Sequence, residues 1–167
     1  LKYIDVFGID HLDLQAEFNT VRPYTYTHRD STASYSHYNQ ALAHPLGANF
    51  REFLVLARYQ PLHKLVFEGR LISGTFGEDR GGSNRGMNIL LPYDTREQDY
   101  GNEIAQGVRA NTLLLGFDVS YQLFHNVFLE AHYFYRNKDS EDVAFDLRTQ
   151  YISGGVRMNI GRSRFDF

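Results

Sequence analysis

Apolar and polar residues alternate with a period of two along most of the chain, which is the spacing of strands with two unlike faces. The clearest segment covers residues 113–123, where Leu, Phe, Val and Tyr at odd positions alternate with Gly116, Asp118, Ser120 and Gln122. Other segments follow the same alternation, the second of them less cleanly: 12–19, 53–59, 65–71, 129–136 and 151–160. The pattern predicts six strands, with residues 1–7 as the end of a seventh, and no amphipathic helix.

The predicted connections differ in length on the two sides of the strands. Short turns are expected near residues 8–10, 60–63 and 124–127. Long polar loops are expected at the opposite ends, over residues 29–47, 76–111 and 137–147. Such segregation is typical of outer-membrane barrels, whereas a soluble Greek-key sandwich does not separate its loops by length.

The composition agrees with strands that are apolar on one face and charged on the other. The chain has 12 Tyr and 13 Phe, yet its mean hydropathy is −0.43. A membrane barrel accommodates both, because aromatic side chains face lipid and charges face the lumen. The predicted fold is therefore an all-β, antiparallel transmembrane barrel of outer-membrane type. The alternative is a soluble sandwich or a lipocalin-like barrel, in which the apolar face points inward.

Composition also excludes several classes of site. The chain has no cysteine, so disulfide scaffolds, thiolate zinc sites and cysteine nucleophiles are excluded. Seventeen Lys and Arg against twenty Asp and Glu make nucleic acid an unsuitable partner. Gly81 and Gly82 lack the strand-to-helix context of a phosphate-binding loop, and we expect no cofactor.

The polar face of the predicted strands would line the lumen with charges of both signs. The residues of this set that we single out are Asp118, Glu130, His132, Arg136 and Arg157. A tight turn near residues 124–127 places Asp118 opposite His132, and Ser120 opposite Glu130. An aspartate beside a histidine is also found in hydrolytic sites. Because charged ladders brace barrel interiors, we interpret these residues as structural and predict no enzyme activity.

The last predicted strand resembles the final strand of bacterial outer-membrane proteins, which the insertion machinery recognises. Ser153, Gly155, Met158 and Ile160 have the spacing of that pattern, and the chain closes on the aromatic Phe167. The resemblance implies a location in the bacterial outer membrane, with the insertion machinery as a partner and the long loops outside the cell. Six or seven strands are fewer than the eight of the smallest bacterial barrels, so we expect the C-terminal part of a larger barrel.

The first long loop carries a second resemblance. Residues 13–19 (DLQAEFN), 21–28 (VRPYTYTH) and 35–50 (YSHYNQALAHPLGANF) resemble the C-terminal barrel region of Bacteroidetes proteins related to the Wzi capsule-assembly family. The resemblance is strongest over residues 10–60. It implies an outer-membrane barrel that binds surface polysaccharide and helps to hold capsule on the cell.

Seven aromatic, histidine and amide side chains of this loop are the candidate glycan-binding residues. They are Tyr24, Tyr26, Tyr35, His37, Tyr38, Asn39 and His44. Rings pack against the C–H faces of sugars, and amides bond their hydroxyls. The same side chains would also serve to pack the loop against the barrel rim. Two metal hypotheses, His28 with His37 and His44, and Asp94 with Asp99, are weaker, and we predict no metal site.

The sequence thus favours a non-enzymatic outer-membrane barrel that binds or tethers capsular polysaccharide through its external loops. The expected partners are outer-membrane lipid, surface polysaccharide and the insertion machinery, with further membrane proteins possible. The alternative function is an outer-membrane channel or secretion component, in which the lumen charges select solutes.

Overall fold

The structure, a computed structural model, describes residues 1–159 and consists of strands joined by turns and loops. The strands are β1 (Lys2–Tyr3), β2 (Leu12–Val21), β3 (Ser36–His37), β4 (Gln40–Ala41), β5 (Phe50–Leu62), β6 (Leu65–Glu78), β7 (Val108–Phe124), β8 (Val127–Ser140) and β9 (Leu147–Met158). Helical geometry in these residues is limited to three-residue 3-10 turns, and no helix among them is long and apolar enough to cross a membrane.

Seven of the strands form one antiparallel sheet in the order β1-β2-β5-β6-β7-β8-β9, and β3 pairs only with β4. The all-β, antiparallel part of the predicted fold class is confirmed. Within residues 1–159 the sheet is open, because β1 and β9 each have one neighbour. Closure into a barrel therefore stays a prediction.

The β7–β8 hairpin shows how local sequence sets the register. Phe124 pairs with Val127 across a two-residue connection, and Asn126 has a φ of 59°. Asparagine tolerates this left-handed conformation better than most residues, and the register shifts by one residue between Gln122 and Phe124, the combination found in short hairpin loops with a bulge. The turn sets Asp118 opposite His132 and Ser120 opposite Glu130, which confirms those two predicted pairings.

The connections differ from the predicted loops: the first is longer because β2 ends at Val21, and the other two are shorter because β6, β7 and β8 run further than the hydrophobic pattern indicates. The connection predicted over 29–47 covers 22–49, and the one predicted over 76–111 covers 79–107. The connection predicted over 137–147 covers only 141–146, since Ser140 still pairs with Ala110. Two long loops, rather than three, therefore lie at this end of the sheet; we name them loop A (22–49) and loop B (79–107).

The register sorts side chains onto two unlike faces. One row across the polar face contains Asp13, Arg58, Glu68, Asp118, His132 and Ser153. The neighbouring row on the apolar face contains Leu14, Ala57, Gly69, Phe117, Tyr133 and Ile152. Large side chains of the apolar face are exposed, among them Phe18, Phe53, Phe117 and Ile152 at 65%, 45%, 47% and 81%.

The buried core lies at the loop end of the polar face. Here Phe50, Phe76 and Ala110 replace the charged residues of the rows below, and all three are buried. Leu46 of loop A and Met87 of loop B pack against them. Both loops consequently fold inward over the end of the polar face, and we call this arrangement the loop cap.

Candidate functional site

Asn49 joins the loop cap to the sheet. Its side chain is fully buried; Nδ2 donates to the carbonyl oxygens of Gly77 at 2.9 Å and Gln106 at 2.8 Å. Oδ1 accepts from the backbone N–H groups of Ala105 at 2.8 Å and Gln106 at 3.2 Å. Four bonds satisfy the whole amide, as a buried polar group requires. One side chain therefore connects loop A, β6 and loop B.

Loop B approaches both β6 and loop A so closely that glycine is needed at the contacts. A Cβ added at Gly77 would collide with the carbonyl oxygen of Gln106 and lie 2.6 Å from the carbonyl carbon of Ala105. Gly86 has a φ of +92°, and a Cβ there would lie 2.6 Å from the backbone nitrogen of Tyr24. These approaches fix the relative positions of loops A and B.

Tyr24, a candidate glycan-binding residue, lies in the loop cap. Its hydroxyl donates to the carbonyl oxygen of Asn84 at 2.7 Å, and its backbone N–H donates to Gly86 at 3.0 Å. Burial raises the pKa of this phenol above its usual value of 10.0. The side chain thus fastens loop A to loop B, and a role of Tyr24 in glycan binding stays a prediction.

His44 also belongs to the cap and not to the exposed patch. Its Nδ1 accepts from the backbone N–H of Leu46 at 3.2 Å, so Nε2 carries the proton and donates to Glu52 Oε1 at 3.1 Å. The ring stacks on Phe50 with centroids 4.3 Å apart, and Asn19 donates to the same carboxylate at 3.3 Å. His44 therefore anchors loop A to the polar face, and its role as a ligand-binding residue stays a prediction.

The other five candidates are exposed residues of loop A, and their rings form two pairs. We call this set the aromatic hairpin: Tyr26, Tyr35, His37, Tyr38 and Asn39. The Tyr26 and Tyr35 rings have centroids 5.7 Å apart, those of His37 and Tyr38 4.3 Å. Tyr38 and Asn39, at the turn between β3 and β4, have φ angles of 48° and 58°, and Tyr38 is 88% exposed. Rings and an amide are thus displayed together at the tip of loop A.

A cleft of about 350 Å³ adjoins this hairpin between loops A and B. Asn39 lines it together with Asp79, Arg80 and Asn88, and its apolar wall includes Leu46. Both carboxylate oxygens of Asp79 accept backbone N–H groups, from Arg85 at 2.5 Å and Asn88 at 2.8 Å. Arg80 pairs with Glu78 at 2.7 Å. The hairpin and the cleft form a continuous surface of rings and polar groups.

The charges predicted for the lumen form a ladder on the polar face. His132 Nδ1 lies 2.6 Å from Asp118, and its Nε2 lies 3.9 Å from Glu130. Arg157 bonds Glu130 at 2.7 Å. Arg136 stands outside this ladder, because the register places it beside Leu114 and Thr149, and its Nε is buried with no hydrogen-bond partner in the described chain. The ladder ties β7, β8 and β9 together.

The residues of the two metal hypotheses do not come together. Across residues 1–159 no three His, Asp or Glu side chains form a group that would hold a metal ion. His28 packs edge-on against Tyr93, while His44 is held by Glu52. In loop B, Asp94 lies 3.6 Å from Arg29 and Asp99 pairs with Arg96 at 2.7 Å.

The residues proposed to meet the insertion machinery lie in the last strand. Ser153, Gly155 and Met158 belong to β9, which is an edge of the described sheet. Ile160 and Phe167 lie outside the described residues. Partner recognition by this strand therefore stays a prediction.

Asn49 is the main residue that sequence reasoning missed. The one local signal is its residue type, since asparagine favours the left-handed conformation that it adopts here, with a φ of 62°. Its partners follow 28 and 57 residues later, and no local pattern indicates them.

Comparison with known proteins identifies no relative. No family model matches the chain, and neither does any curated protein or solved structure. The Wzi resemblance accordingly stays a prediction.

Proposed function

We propose that this sheet is part of an outer-membrane β-barrel that binds surface polysaccharide through the aromatic hairpin. The observation that carries the membrane part is the exposed apolar face, which a protein in water would need to cover. On β7 this face is apolar from Leu113 to Leu123, about 33 Å at the rise of a strand. A strand tilted by about 40° projects that length to about 25 Å, the height of a barrel's apolar band.

The polar groups are placed as such a barrel requires. Beyond Leu113, towards the loop cap, the outer positions of β7 are Asn111 and Arg109. On the neighbouring strand Asp139 lies opposite Asn111, and Asn137 lies opposite Leu113. These groups would lie at the headgroup level, while the charged ladder faces the lumen. The loop cap and the aromatic hairpin would then stand outside the cell.

Site-specific labelling tests the membrane part, because the chain has no cysteine of its own. Single cysteines at Leu115 and Phe117 on the apolar face are compared with a cysteine at Asp118 on the polar face. In lipid vesicles, a bimane label at the first two positions should be quenched by doxyl lipid, and a label at Asp118 should not. Equal quenching at all three positions would contradict the proposed embedding.

The polysaccharide part is supported by the exposure of the aromatic hairpin. Tyr38 and Tyr35 are 88% and 54% exposed and project from a structured loop, so their rings are available without rearrangement. Sugar C–H faces pack on rings, and Asn39 offers both a donor and an acceptor to hydroxyls. As the Wzi resemblance implies, the ligand of this proposal is capsular polysaccharide and the role is to tether it.

The binding test uses the intact protein in detergent with purified capsular polysaccharide. Joint replacement of Tyr35, His37, Tyr38 and Asn39 by alanine should weaken binding at least about tenfold, since each lost stacking or hydrogen-bond contact contributes about 1 kcal/mol. Tyr100→Ala is the matched control, because Tyr100 is equally exposed, at 89%, but lies in loop B. Unchanged affinity in the quadruple variant would exclude the hairpin as the site.

The alternative function is a channel with a charged lumen, and a measurement of conductance distinguishes it from the tethering role. The loop cap fills one end of the polar face with apolar side chains, which favours the tethering role. A conductance well below that of an open pore is expected, because the cap narrows this end of the lumen without filling the middle of the polar face, where Arg70 is exposed. A steady open-pore current would support transport instead.

A further inference from the structure

Arg70 is an exposed arginine at the centre of the polar face, whereas Arg136, which also has no ion pair within residues 1–159, is half-buried. Arg58, Lys138 and Arg157 on the same face each lie within 3.5 Å of a carboxylate. Arg70, by contrast, forms no ion pair within the described 159 residues and is exposed. An exposed guanidinium without an ion pair in the described part of the chain is available to a ligand anion.

Two adjoining cavities meet at this arginine. One has a volume of about 490 Å³ and the other about 260 Å³, and both are lined by Arg70 and Asp118. Gly116 of β7 pairs with Arg70 of β6. Because glycine has no side chain, the sheet surface beside Arg70 is uncovered; we call this uncovered surface the floor of the cavities. A Cβ at Gly116 would lie 3.6 Å from that of Arg70, so the position tolerates a side chain sterically. The backbone around residue 116 therefore does not require glycine, and the open space beside Arg70 is specific to this sequence.

An aromatic platform continues the same row of the sheet. Gly116 is paired with Phe134 and Phe134 with Tyr151, and the two rings stack with centroids 5.1 Å apart and planes at 26°. Arg70 and Phe134 are two strands apart, or about 10 Å between Cα atoms. Over Gly116 this leaves room for one six-membered ring between the guanidinium and the aromatic platform.

The neighbouring row supplies hydrogen-bonding groups. Asp118, His132 and Ser153 line the smaller cavity beside the rings. Asp118 and His132 are 2.6 Å apart, which leaves the second carboxylate oxygen and the Ser153 hydroxyl for a ligand. Such groups suit hydroxyls, as the guanidinium suits a carboxylate and the rings suit a saccharide face.

We propose that this row binds a hexuronate unit, that is, a pyranose ring that carries a carboxylate. The carboxylate binds Arg70, the ring lies above Gly116 against Phe134 and Tyr151, and the hydroxyls bond Asp118 and Ser153. This inference rests on the proposed function, because it names an acidic polysaccharide as the ligand, but it uses residues separate from the aromatic hairpin.

The test measures the affinity of the intact protein for trigalacturonate and for neutral maltotriose. Trigalacturonate should bind at least about tenfold more tightly, and Arg70→Gln should abolish this preference, since a hydrogen-bonded charge pair is worth about a factor of ten or more. Arg70→Lys should keep part of it, because lysine retains the charge but not the two-pronged geometry. Arg51→Gln on the apolar face is the matched control and should retain all of it.

A second variant tests the position of the ring without changing a charge. Gly116→Val fills the floor between Arg70 and Phe134, and it should lower trigalacturonate affinity as strongly as Arg70→Gln. Normal far-ultraviolet circular dichroism confirms that the sheet is retained. A preference that survives either Arg70→Gln or Gly116→Val would overturn the site.

Competition separates a uronate from a simple carboxylate. Acetate at the same concentration should fail to displace trigalacturonate; equal displacement would overturn the saccharide part of the proposal.

The alanine variant of the aromatic hairpin should keep the Arg70-dependent preference. If only the alanine variant of the aromatic hairpin loses polysaccharide binding, the result supports the hairpin as the binding site and excludes the Arg70 site. If only Arg70→Gln weakens polysaccharide binding, the result supports the Arg70 site and excludes the hairpin as the binding site.

Discussion

Single residues of the loop cap show why residue type alone does not reveal a role. Tyr24 and His44 are hydrogen-bonded within the cap. Tyr38 and His37 are of the same two residue types, yet they are exposed. The difference arises from partners distant in the sequence: Tyr24 bonds Asn84, 60 residues away. A local pattern carries no information about such pairs.

Tyr24 makes the cap sensitive to alkaline pH. Its hydroxyl donates to Asn84 only while protonated, and burial raises its pKa above 10.0. A raised pKa in the folded state contributes stability below the unfolded pKa, and this contribution is lost as the pH rises through the folded value. We therefore expect the loops to loosen above about pH 10.

Fluorescence anisotropy measures this loosening. A label on the single cysteine of Tyr100→Cys, in loop B, should lose anisotropy as the pH rises above about 10. Tyr24→Phe keeps the ring but has no proton to lose, and it should flatten the curve. The same pH dependence in both proteins would exclude Tyr24 as the cause.

At the scale of elements, the strands follow from their alternation and the loops do not. The predicted alternation over 129–136 lies within β8, and the short turn near 124–127 joins it to β7. The strands nevertheless extend to Ser140 and Glu78, where polar residues on the outer positions hide the alternation. Pairing with the neighbouring strand continues because the backbone hydrogen bonds are the same for any residue.

The docking of loop B onto β6 depends on Gly77. Gly77→Ala adds a Cβ that meets the backbone of Gln106 and Ala105, so loop B must move outward. We expect the substitution to destabilise the closed cap by about 2 kcal/mol. Because trypsin cleaves the open form, cleavage within loop B should accelerate about thirtyfold.

Cleavage after Arg80, Arg85 and Arg96, followed by mass spectrometry, measures this opening. Gly155→Ala on β9 is the control, because a Cβ there meets nothing within 4 Å. If the two alanine variants are cleaved at the same rate, Gly77 does not hold the loop.

For the whole molecule, the contrast between the two faces is the basis of the proposed membrane environment. The apolar face exposes Phe18, Phe53 and Phe117, while the polar face carries the charged ladder and the loop cap. In water the arrangement would leave a wide apolar surface exposed, whereas in a bilayer the same surface is solvated by lipid.

Arginine substitutions at two depths test this environment quantitatively. Phe117→Arg, near the middle of the apolar band, should destabilise the intact protein in vesicles by about 2–4 kcal/mol. Asn111→Arg lies on the same face and strand but beyond the band, and should cost at most about 1 kcal/mol. Denaturant titration followed by circular dichroism measures both; equal costs would contradict a lipid-facing band.

The sequence by itself determined the strand content, the two unlike faces and the Asp118–His132 register, because each depends on neighbours along one strand or across a tight turn. Only the tertiary structure decided that loops A and B fold inward, that Asn49 joins them, and that Tyr24 and His44 leave the exposed patch. It also decided that Arg70 stands beside an open floor at Gly116 and two stacked rings. These features depend on pairing between segments far apart in the chain, which alternation with a period of two does not encode.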